Sequence, residues 1–214
     1  MQPRGLYAIA DVDLTARAGF EILPFVAALL DARPALLQIR AKHLGARDTL
    51  ELLERVVPLA KSAGVPVFAN DRPDLAWLAG CDGVHVGQSD MSVADVRRFR
   101  RELSVGVSTH DEAQLLDALG ERPTYVALGP IFGTRSKDNP EPTVGLGMLA
   151  RAYETTRTAG IPLVAIGGID DRSAREVREH ADYISVISAL IPADGALASV
   201  TRRAREMHEL ICGR

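Results

Sequence analysis

The feature that most constrains this 214-residue chain is a regular alternation of short apolar runs with longer amphipathic stretches. Most of the runs are too continuously apolar for a sheet with one face in water. Continuous apolar strands are typical of parallel sheets that are covered on both faces. The runs predict eight β-strands, at Leu6–Ala10, Leu36–Arg40, Pro66–Ala69, Gly83–Val86, Ser104–Val107, Tyr125–Leu128, Pro162–Ile166 and Tyr183–Ile187.

The stretches between the predicted strands have the periodicity of helices with one apolar face. Four of them begin with a pattern that resembles a capping box. These patterns pair Asp48 with Glu51, Ser92 with Asp95, Thr109 with Glu112, and Ser173 with Glu176. Eight β-α units can form either an eight-stranded barrel or a doubly wound sheet. Their near-equal length favours a single (β/α)8 TIM barrel over residues 1–214, with its active site on the loops that follow the strands.

Composition and charge exclude several classes of function. Lys and Arg total 25 against 28 Asp and Glu, and the net charge of −3 argues against a protein that coats nucleic acid or an anionic membrane. No apolar run approaches the ~20 residues of a membrane span, and the N-terminal sequence lacks the pattern of a signal peptide. Cys81 and Cys212 offer neither a disulfide framework nor a CxxC metal site, so we expect a cytoplasmic protein.

The predicted second strand ends in an amide and two cations. Gln38, Arg40 and Lys42 alternate along the chain, so their side chains point the same way. This combination suits a phosphate or diphosphate. A solvated surface cluster is the alternative, but Arg and Lys at a buried strand end need an anionic partner. We therefore expect an anion site at this end of the barrel.

Two carboxylates follow the next two strands. Asp71 comes after the third strand and Asp90 after the fourth, so the barrel predicts that they lie side by side. A pair of carboxylates is suited to Mg²⁺, which also keeps water and substrate phosphates in its coordination shell. The alternative is that each Asp caps the helix that follows it. Their position beside the expected anion site favours the metal.

The next two strand ends carry groups with less specific chemistry. His85 ends an apolar strand, and we expect a hydrogen-bonded core residue there rather than a catalytic one. Ser108 follows the fifth strand and is placed to hydrogen-bond a substrate. No Ser, His and Asp occur in a chain context typical of a nucleophilic relay, so a hydrolase is not favoured.

A second anion site is predicted after strands six to eight. The loop 129–140 is long for a compact chain, and its hydroxyls, Arg135 and Lys137 could close over an anionic ligand. Gly167 and Gly168 follow the seventh strand, where backbone N–H groups often bind phosphate in barrels of this kind. Two anion sites in one barrel mouth, one with a metal, predict group transfer between two phosphorylated small molecules with pyrophosphate leaving.

With these motifs in order, the sequence resembles the thiamine-phosphate synthase family across essentially its whole length. The resemblance is specific because every motif lies at a predicted strand end. The motifs are 38–42 (QIRAK), 70–72 (NDR), 82–90 (DGVHVGQSD), 106–110 (GVSTH), 129–132 (GPIF), 134–137 (TRSK), 167–169 (GGI) and 186–188 (VIS).

The resemblance implies that a pyrimidine diphosphate and a thiazole phosphate are joined to thiamine phosphate. It implies Mg²⁺ at Asp71 and Asp90, and catalytic roles for Lys137, Arg40 and Ser108. The residues that it places around the pyrimidine diphosphate are Gln38, Ile39, Arg40, Ala41, Lys42, Asn70, Ser108 and Lys137. Those that it places around the thiazole phosphate are Thr134, Arg135, Ser136, Gly167 or Gly168, Ile187 and Ser188.

Three alternatives stay open at this stage. A related thiazole tautomerase shares the barrel and the thiazole-phosphate site but has no need of a metal-bound diphosphate. Another phosphate-sugar barrel would explain the glycine pair but not the Asp pair. A non-catalytic binding module should have lost Asp71, Asp90 or Lys137, and this chain has all three. A homo-oligomer is possible, and neither the natural form of the thiazole nor the roles of His85 and His110 follow from the sequence.

Overall fold

A computed structural model describes residues 5–134 and 141–213. Eight parallel strands close into a barrel in chain order, and the last strand pairs with the first. This confirms the predicted barrel and excludes the doubly wound sheet. The strands are β1 Gly5–Asp11, β2 Leu36–Arg40, β3 Val67–Asn70, β4 Gly83–Val86, β5 Ser104–Thr109, β6 Tyr125–Leu128, β7 Leu163–Ile166 and β8 Tyr183–Val186.

Helices cover the outside of the barrel. They are α1 Val12–Arg17, α2 Ile22–Leu30, α3 Ala46–Ala63, α4 Pro73–Ala79, α5 Val93–Phe99, α6 Glu112–Gly120, α7 Gly145–Ala159, α8 Ala174–Val177 and α9 Leu197–Cys212. No helix in the described ranges is long and apolar enough to cross a membrane.

One of the four predicted capping patterns is confirmed. Ser92 precedes α5 and its side chain accepts a hydrogen bond from the Asp95 N–H. The prediction at Thr109 was wrong, because that hydroxyl is buried and donates to the carbonyl of Ala127 on the neighbouring strand β6. Asp111 caps α6 in its place. The patterns at Asp48 and Ser173 form no side-chain cap, and α3 begins after Gly45.

The strands are apolar on both faces because each face is buried against different partners. Outward-facing residues such as Leu37 and Ile39 pack under the helices in the main core. Inward-facing residues form a second cluster around Tyr7, Phe68 and Tyr125. A Cβ at Gly106 would lie 2.0 Å from the Tyr125 ring, so glycine on β5 makes room for that tyrosine inside the barrel.

Toward the carboxyl ends of the strands, the interior of the barrel becomes polar. Alternation along each strand places inward-facing residues in layers of four, contributed by alternate strands. One layer consists of Gln38, His85, Ala127 and Ser185, from the even-numbered strands. The next consists of Ile9, Asn70, Ser108 and Ile166, from the odd-numbered strands. All eight residues line one cavity at this end of the barrel.

Candidate active site

Residues that face the inside of the barrel line a cavity of about 490 Å³ at the carboxyl ends of the strands. A smaller cavity of about 50 Å³ adjoins it over strands β5 to β8. Ser108, Ile166 and Ile187 line both, so the two spaces form one mouth. Barrel enzymes have their active sites at this end of the strands.

The predicted cluster on β2 is confirmed as a group that faces this cavity. Gln38, Arg40 and Lys42 all line it, whereas the side chain of Ile39 points outward into the core. Neither Ile39 nor Ala41, which the resemblance placed at the pyrimidine diphosphate, lines this cavity. Asn70, which the resemblance also placed here, lines the same cavity.

Both cations form ion pairs with aspartates. Arg40 donates through its guanidinium to the carboxylate of Asp11, which is almost completely buried at the end of β1. The Lys42 Nζ lies 2.5 Å from the Asp71 Oδ2. Sequence reasoning missed Asp11, although its place after Tyr7 and Ile9 in the alternation of β1 directs it toward the same side. Asp11 also caps α1 by accepting from the Leu14 N–H, so Arg40 is held by an anchored carboxylate.

Asp71 and Asp90 are not helix caps. Residue Arg72 occupies the capping position of α4, and Ser92 caps α5. The Asp90 Oδ2 accepts a hydrogen bond of 2.7 Å from the Gly87 N–H, which turns this carboxylate back toward the end of β4. Burial raises the pKa of Asp90, and the neighbouring Asp71 carboxylate raises it further. The two carboxylates are therefore close enough to repel each other, as predicted from adjacent strand ends.

This carboxylate pair fits a divalent cation. In the described ranges, no three His, Cys, Asp or Glu side chains enclose a metal by themselves. Two carboxylates that leave the other positions to water and ligand oxygens are suited to Mg²⁺. Asp11, Asp71 and Asp90 outnumber Arg40 and Lys42, so these five side chains carry net negative charge unless a proton or a cation is added. A bound divalent cation would make the same group attractive to a diphosphate.

A chain of hydrogen bonds crosses the floor of the cavity. The Gln38 Nε2 donates to the Tyr7 hydroxyl at 2.8 Å, and that hydroxyl is 2.7 Å from the Tyr125 hydroxyl. The Tyr125 hydroxyl is 2.9 Å from the His85 Nδ1, and the His85 Nε2 is 2.8 Å from the Ser108 Oγ. His85 is buried with both ring nitrogens bonded, which confirms the predicted core residue. We call this chain, from Gln38 through Tyr7, Tyr125 and His85 to Ser108, the relay.

One direction of proton donation gives both buried tyrosine hydroxyls and the His85 N–H an acceptor within the relay. Burial raises the pKa of both Tyr7 and Tyr125, so both phenols stay protonated at neutral pH. Gln38 then donates to Tyr7, Tyr7 to Tyr125, Tyr125 to the His85 Nδ1, and the His85 Nε2–H to Ser108. The Ser108 hydroxyl proton is left to point at the cavity. Sequence reasoning missed both tyrosines, although a buried tyrosine usually needs a partner for its hydroxyl.

Over β6 to β8 the mouth is built from backbone and small side chains. Thr134, Gly167, Gly168, Ile187 and Ser188 all line the smaller cavity, as predicted for the second anion site. Arg135, Ser136 and Lys137 lie outside the described residues. We call Thr134, Gly167, Gly168, Ile187 and Ser188 the glycine half of the mouth. Arg40, Lys42, Asp71 and Asp90 form the carboxylate half.

The glycine pair is required by the fold of the neighbouring loop. Gly167 and Gly168 have φ values of 99° and 67°, which side chains rarely adopt. A Cβ at Gly168 would lie 2.5 Å from the Gly133 carbonyl oxygen, and one at Gly167 would lie 2.5 Å from the Pro130 Cβ. The Phe132 N–H donates to the Gly167 carbonyl at 3.0 Å. The loop after β6 therefore packs directly on the loop after β7, and this contact closes the side of the smaller cavity.

His110 also borders both cavities. Its Nδ1 lies 2.5 Å from the carbonyl oxygen of Gly129, so this nitrogen carries the proton and donates it. The His110 backbone N–H donates to the Gln114 Oε1 at 2.9 Å. These bonds tie the loop after β5 to the loop after β6 and give His110 a positional role.

A (β/α)8 barrel with a carboxylate-and-cation site facing a backbone-built site defines an enzyme that handles phosphorylated small molecules. The family model described as thiamine monophosphate synthase matches residues 6–190. A thiamine-phosphate synthase of Chloroflexus aurantiacus is 37% identical over 207 residues, covering 96% of this chain and 92% of the relative. One from Thermus thermophilus is 42% identical over 179 residues, covering 83% of each chain. The chain belongs to the thiamine monophosphate synthase family.

Solved structures agree with this assignment. A thiamine phosphate pyrophosphorylase from Pyrococcus furiosus superposes with a TM-score of 0.84 at 28% identity, covering 98% of this chain and 96% of that one. A 2-keto-3-deoxy-6-phospho-gluconate aldolase from Zymomonas mobilis reaches a TM-score of 0.69 at 18% identity, over 97% and 93% of the two chains. The second likeness shows the barrel fold alone.

Proposed function

We propose that this enzyme joins 4-amino-5-hydroxymethyl-2-methylpyrimidine diphosphate to 4-methyl-5-(2-phosphoethyl)thiazole, or to its carboxylated form. The products are thiamine phosphate and pyrophosphate, and the carboxylated form also loses its carboxyl group as carbon dioxide. The observation that carries the proposal is one continuous mouth with a side-chain anion site at one end and a backbone-built site at the other. Two phosphorylated substrates can bind there with their rings facing each other.

The floor of the cavity presents groups that complement an aminopyrimidine. The Gln38 Nε2 is used by Tyr7, so the Oε1 of the same amide is the atom that can accept from an exocyclic amino group. The relay leaves the Ser108 hydroxyl proton to donate to a ring nitrogen. One acceptor beside one donor is the pattern that an aminopyrimidine edge requires. The diphosphate then extends toward Arg40, Lys42 and Asn70.

The reaction begins with heterolysis of the bond between the pyrimidine methylene carbon and the diphosphate oxygen. The electron pair leaves with pyrophosphate, and the ring amino group stabilises the pyrimidinylmethyl cation by donating electrons. The lone pair of the thiazole nitrogen then forms the new C–N bond. No protein nucleophile is needed, so the protein contributes orientation, charge stabilisation and exclusion of water.

Arg40 and Lys42 stabilise negative charge as it grows on the departing diphosphate. Their ion pairs with Asp11 and Asp71 hold both cations at the mouth before substrate binds. We propose that Asp71 and Asp90 hold Mg²⁺, which when bound neutralises further charge on the diphosphate. Through the family resemblance we add Lys137, which acts on the leaving group, and Arg135 and Ser136, which bind the thiazole phosphate.

In the glycine half, the thiazole phosphate is proposed to bind at Thr134, Gly167, Gly168, Ile187 and Ser188. Backbone N–H groups bind phosphate well where no Cβ intervenes.

We also propose a cytoplasmic location, because both cysteines are free.

The test is pyrophosphate release from purified protein with both substrates and Mg²⁺, with thiamine phosphate followed by chromatography. We expect both products in equal amounts, and only when Mg²⁺ is present. Folded protein that releases neither product would overturn the proposal. Isomerisation of the thiazole phosphate without pyrimidine diphosphate would assign the tautomerase activity instead.

A further inference from the structure

The floor of the cavity contains a buried polar side chain that is not part of the relay. Ser185 lies on β8 and is 2% exposed, and its Oγ makes no hydrogen bond within residues 5–134 and 141–213. The other polar members of its layer, Gln38 and His85, are both bonded within the relay. A buried hydroxyl without a partner is unfavourable and uncommon in a folded protein.

Ser185 is placed where a bound ligand can supply a hydrogen-bond partner. Alternation along β8 turns Ser185 into the barrel with Tyr183 and Ile187, and Ser185 lines both parts of the mouth. Its register neighbours are Tyr7 on β1 and Ile166 on β7. It therefore lies beside the space in which the proposed function places the two substrate rings.

The chemistry of the two rings decides between them. The thiazole nitrogen must keep its lone pair free to form the new C–N bond, so a hydroxyl that donates to it would oppose the reaction. The aminopyrimidine has three polar groups on its edge, namely one amino group and two ring nitrogens. Gln38 and Ser108 account for the amino group and one ring nitrogen.

The geometry points to Ser185 as a third hydrogen-bonding contact to the substrate, donating from its Oγ to the second ring nitrogen of the aminopyrimidine. This inference rests on the proposed function, because it takes the aminopyrimidine as the ring on the floor. It makes Ser185 a substrate-binding residue with no part in holding the empty barrel together.

The test compares Ser185→Ala with the unchanged protein in two measurements. Calorimetric titration with the pyrimidine diphosphate, with Mg²⁺ present and the thiazole phosphate left out, should show about tenfold weaker binding, the loss typical of one hydrogen bond. The affinity for the thiazole phosphate should change by less than twofold. The thermal midpoint of the ligand-free protein should stay the same or rise, since the substitution removes an unpaired buried hydroxyl.

Thr15→Val is the matched control. Thr15 on α1 is equally buried and its Oγ1 is also without a partner in the described ranges, but it lines neither cavity. Its substitution should leave both affinities unchanged. Ser185→Cys keeps the size of the side chain with a much weaker donor and should behave like Ser185→Ala.

Two results would overturn the inference. One is an unchanged affinity of Ser185→Ala for the pyrimidine diphosphate. The other is an equal loss of affinity for both substrates. Failure of the proposed function is separate, because it would appear as absence of thiamine phosphate with the unchanged protein.

Discussion

The two halves of the mouth, each proposed to bind an anion, are built differently. The carboxylate half uses long side chains whose charges are paired with each other, Arg40 with Asp11 and Lys42 with Asp71. The glycine half uses backbone at Gly167 and Gly168, held in place by the loop after β6. Charge and coordination can therefore be altered in the first half without disturbing the fold. In the second half, the proposed binding site consists of backbone that also holds the two loops together.

This difference predicts how substitutions divide between activity and stability. A neutral residue in the carboxylate half should cost activity and leave the folded protein intact. A side chain added in the glycine half should cost both. Substitutions in the relay should affect the two substrates differently, because the relay lies under the part of the floor where the pyrimidine is proposed to bind.

The largest effect is expected from Asp90→Asn. It removes one of the two proposed metal ligands, and turnover should fall about 10²–10³-fold, the range for losing one main electrostatic contribution to the transition state. Burial and the Asp71 carboxylate already disfavour the charged form of Asp90, so the free energy of unfolding should change by no more than ~0.5 kcal/mol. Pyrophosphate release and thermal unfolding measure the two quantities.

Asp48→Asn is the control for this substitution. Asp48 is exposed in the first turn of α3, and its neutralisation should leave turnover within twofold. Loss of stability in Asp90→Asn that matches its loss of activity would show a structural role and contradict the contrast between the halves.

The second largest effect is expected from Gly168→Ala compared with Gly195→Ala. Both glycines have φ near 65°, but an added Cβ meets backbone at Gly168 and nothing within 4 Å at Gly195. Gly195→Ala should therefore cost only the ~1 kcal/mol of a left-handed alanine. Gly168→Ala should cost a further ~1–3 kcal/mol from crowding and weaken thiazole phosphate binding about tenfold.

Denaturant unfolding and calorimetric titration would measure this pair of variants. Equal loss of stability in the two alanine variants would mean that the loop after β6 moves aside at little cost. Unchanged thiazole phosphate affinity in Gly168→Ala would remove the glycine half from the binding site.

The sequence predicted the barrel and most residues of the mouth because both follow from local periodicity. Alternation placed Gln38, Arg40 and Lys42 on one face, and neighbouring strands brought Asp71 and Asp90 together. The relay could not be found in this way. Tyr7 and Tyr125 are 118 positions apart, and their hydroxyls meet only because the closed barrel is narrow enough for rings from β1 and β6 to touch.

The wrong prediction of a cap at Thr109 also concerns a contact that a local sequence pattern does not decide. A hydroxyl before a helix has two possible partners, the first turn of that helix or the neighbouring strand. Here β5 extends through residue 109, so the strand keeps the hydroxyl and Asp111 takes the cap. The partner was decided by where the strand ends, and strand ends are the least certain part of a sequence pattern.

The smallest effect is expected from Tyr125→Phe, which breaks the relay in the middle. The hydrogen bonds of the Tyr125 hydroxyl to Tyr7 and His85 are lost, so the free energy of unfolding should fall by ~1–3 kcal/mol. With His85 no longer oriented, Ser108 loses its directed proton, and kcat/KM for the pyrimidine diphosphate should fall about tenfold. Binding of the thiazole phosphate should change less than twofold, because the relay does not reach the glycine half.

Tyr183→Phe is the matched control, since Tyr183 is half-buried inside the barrel but is not part of the relay. It should leave kcat/KM for the pyrimidine diphosphate unchanged. A general loosening of the barrel in Tyr125→Phe would weaken the binding of both substrates. Loss of orientation at Ser108 would weaken the binding of the pyrimidine diphosphate alone. The ratio of the two effects therefore shows whether the hydroxyl bonds beneath the floor position the pyrimidine or only help to pack the barrel.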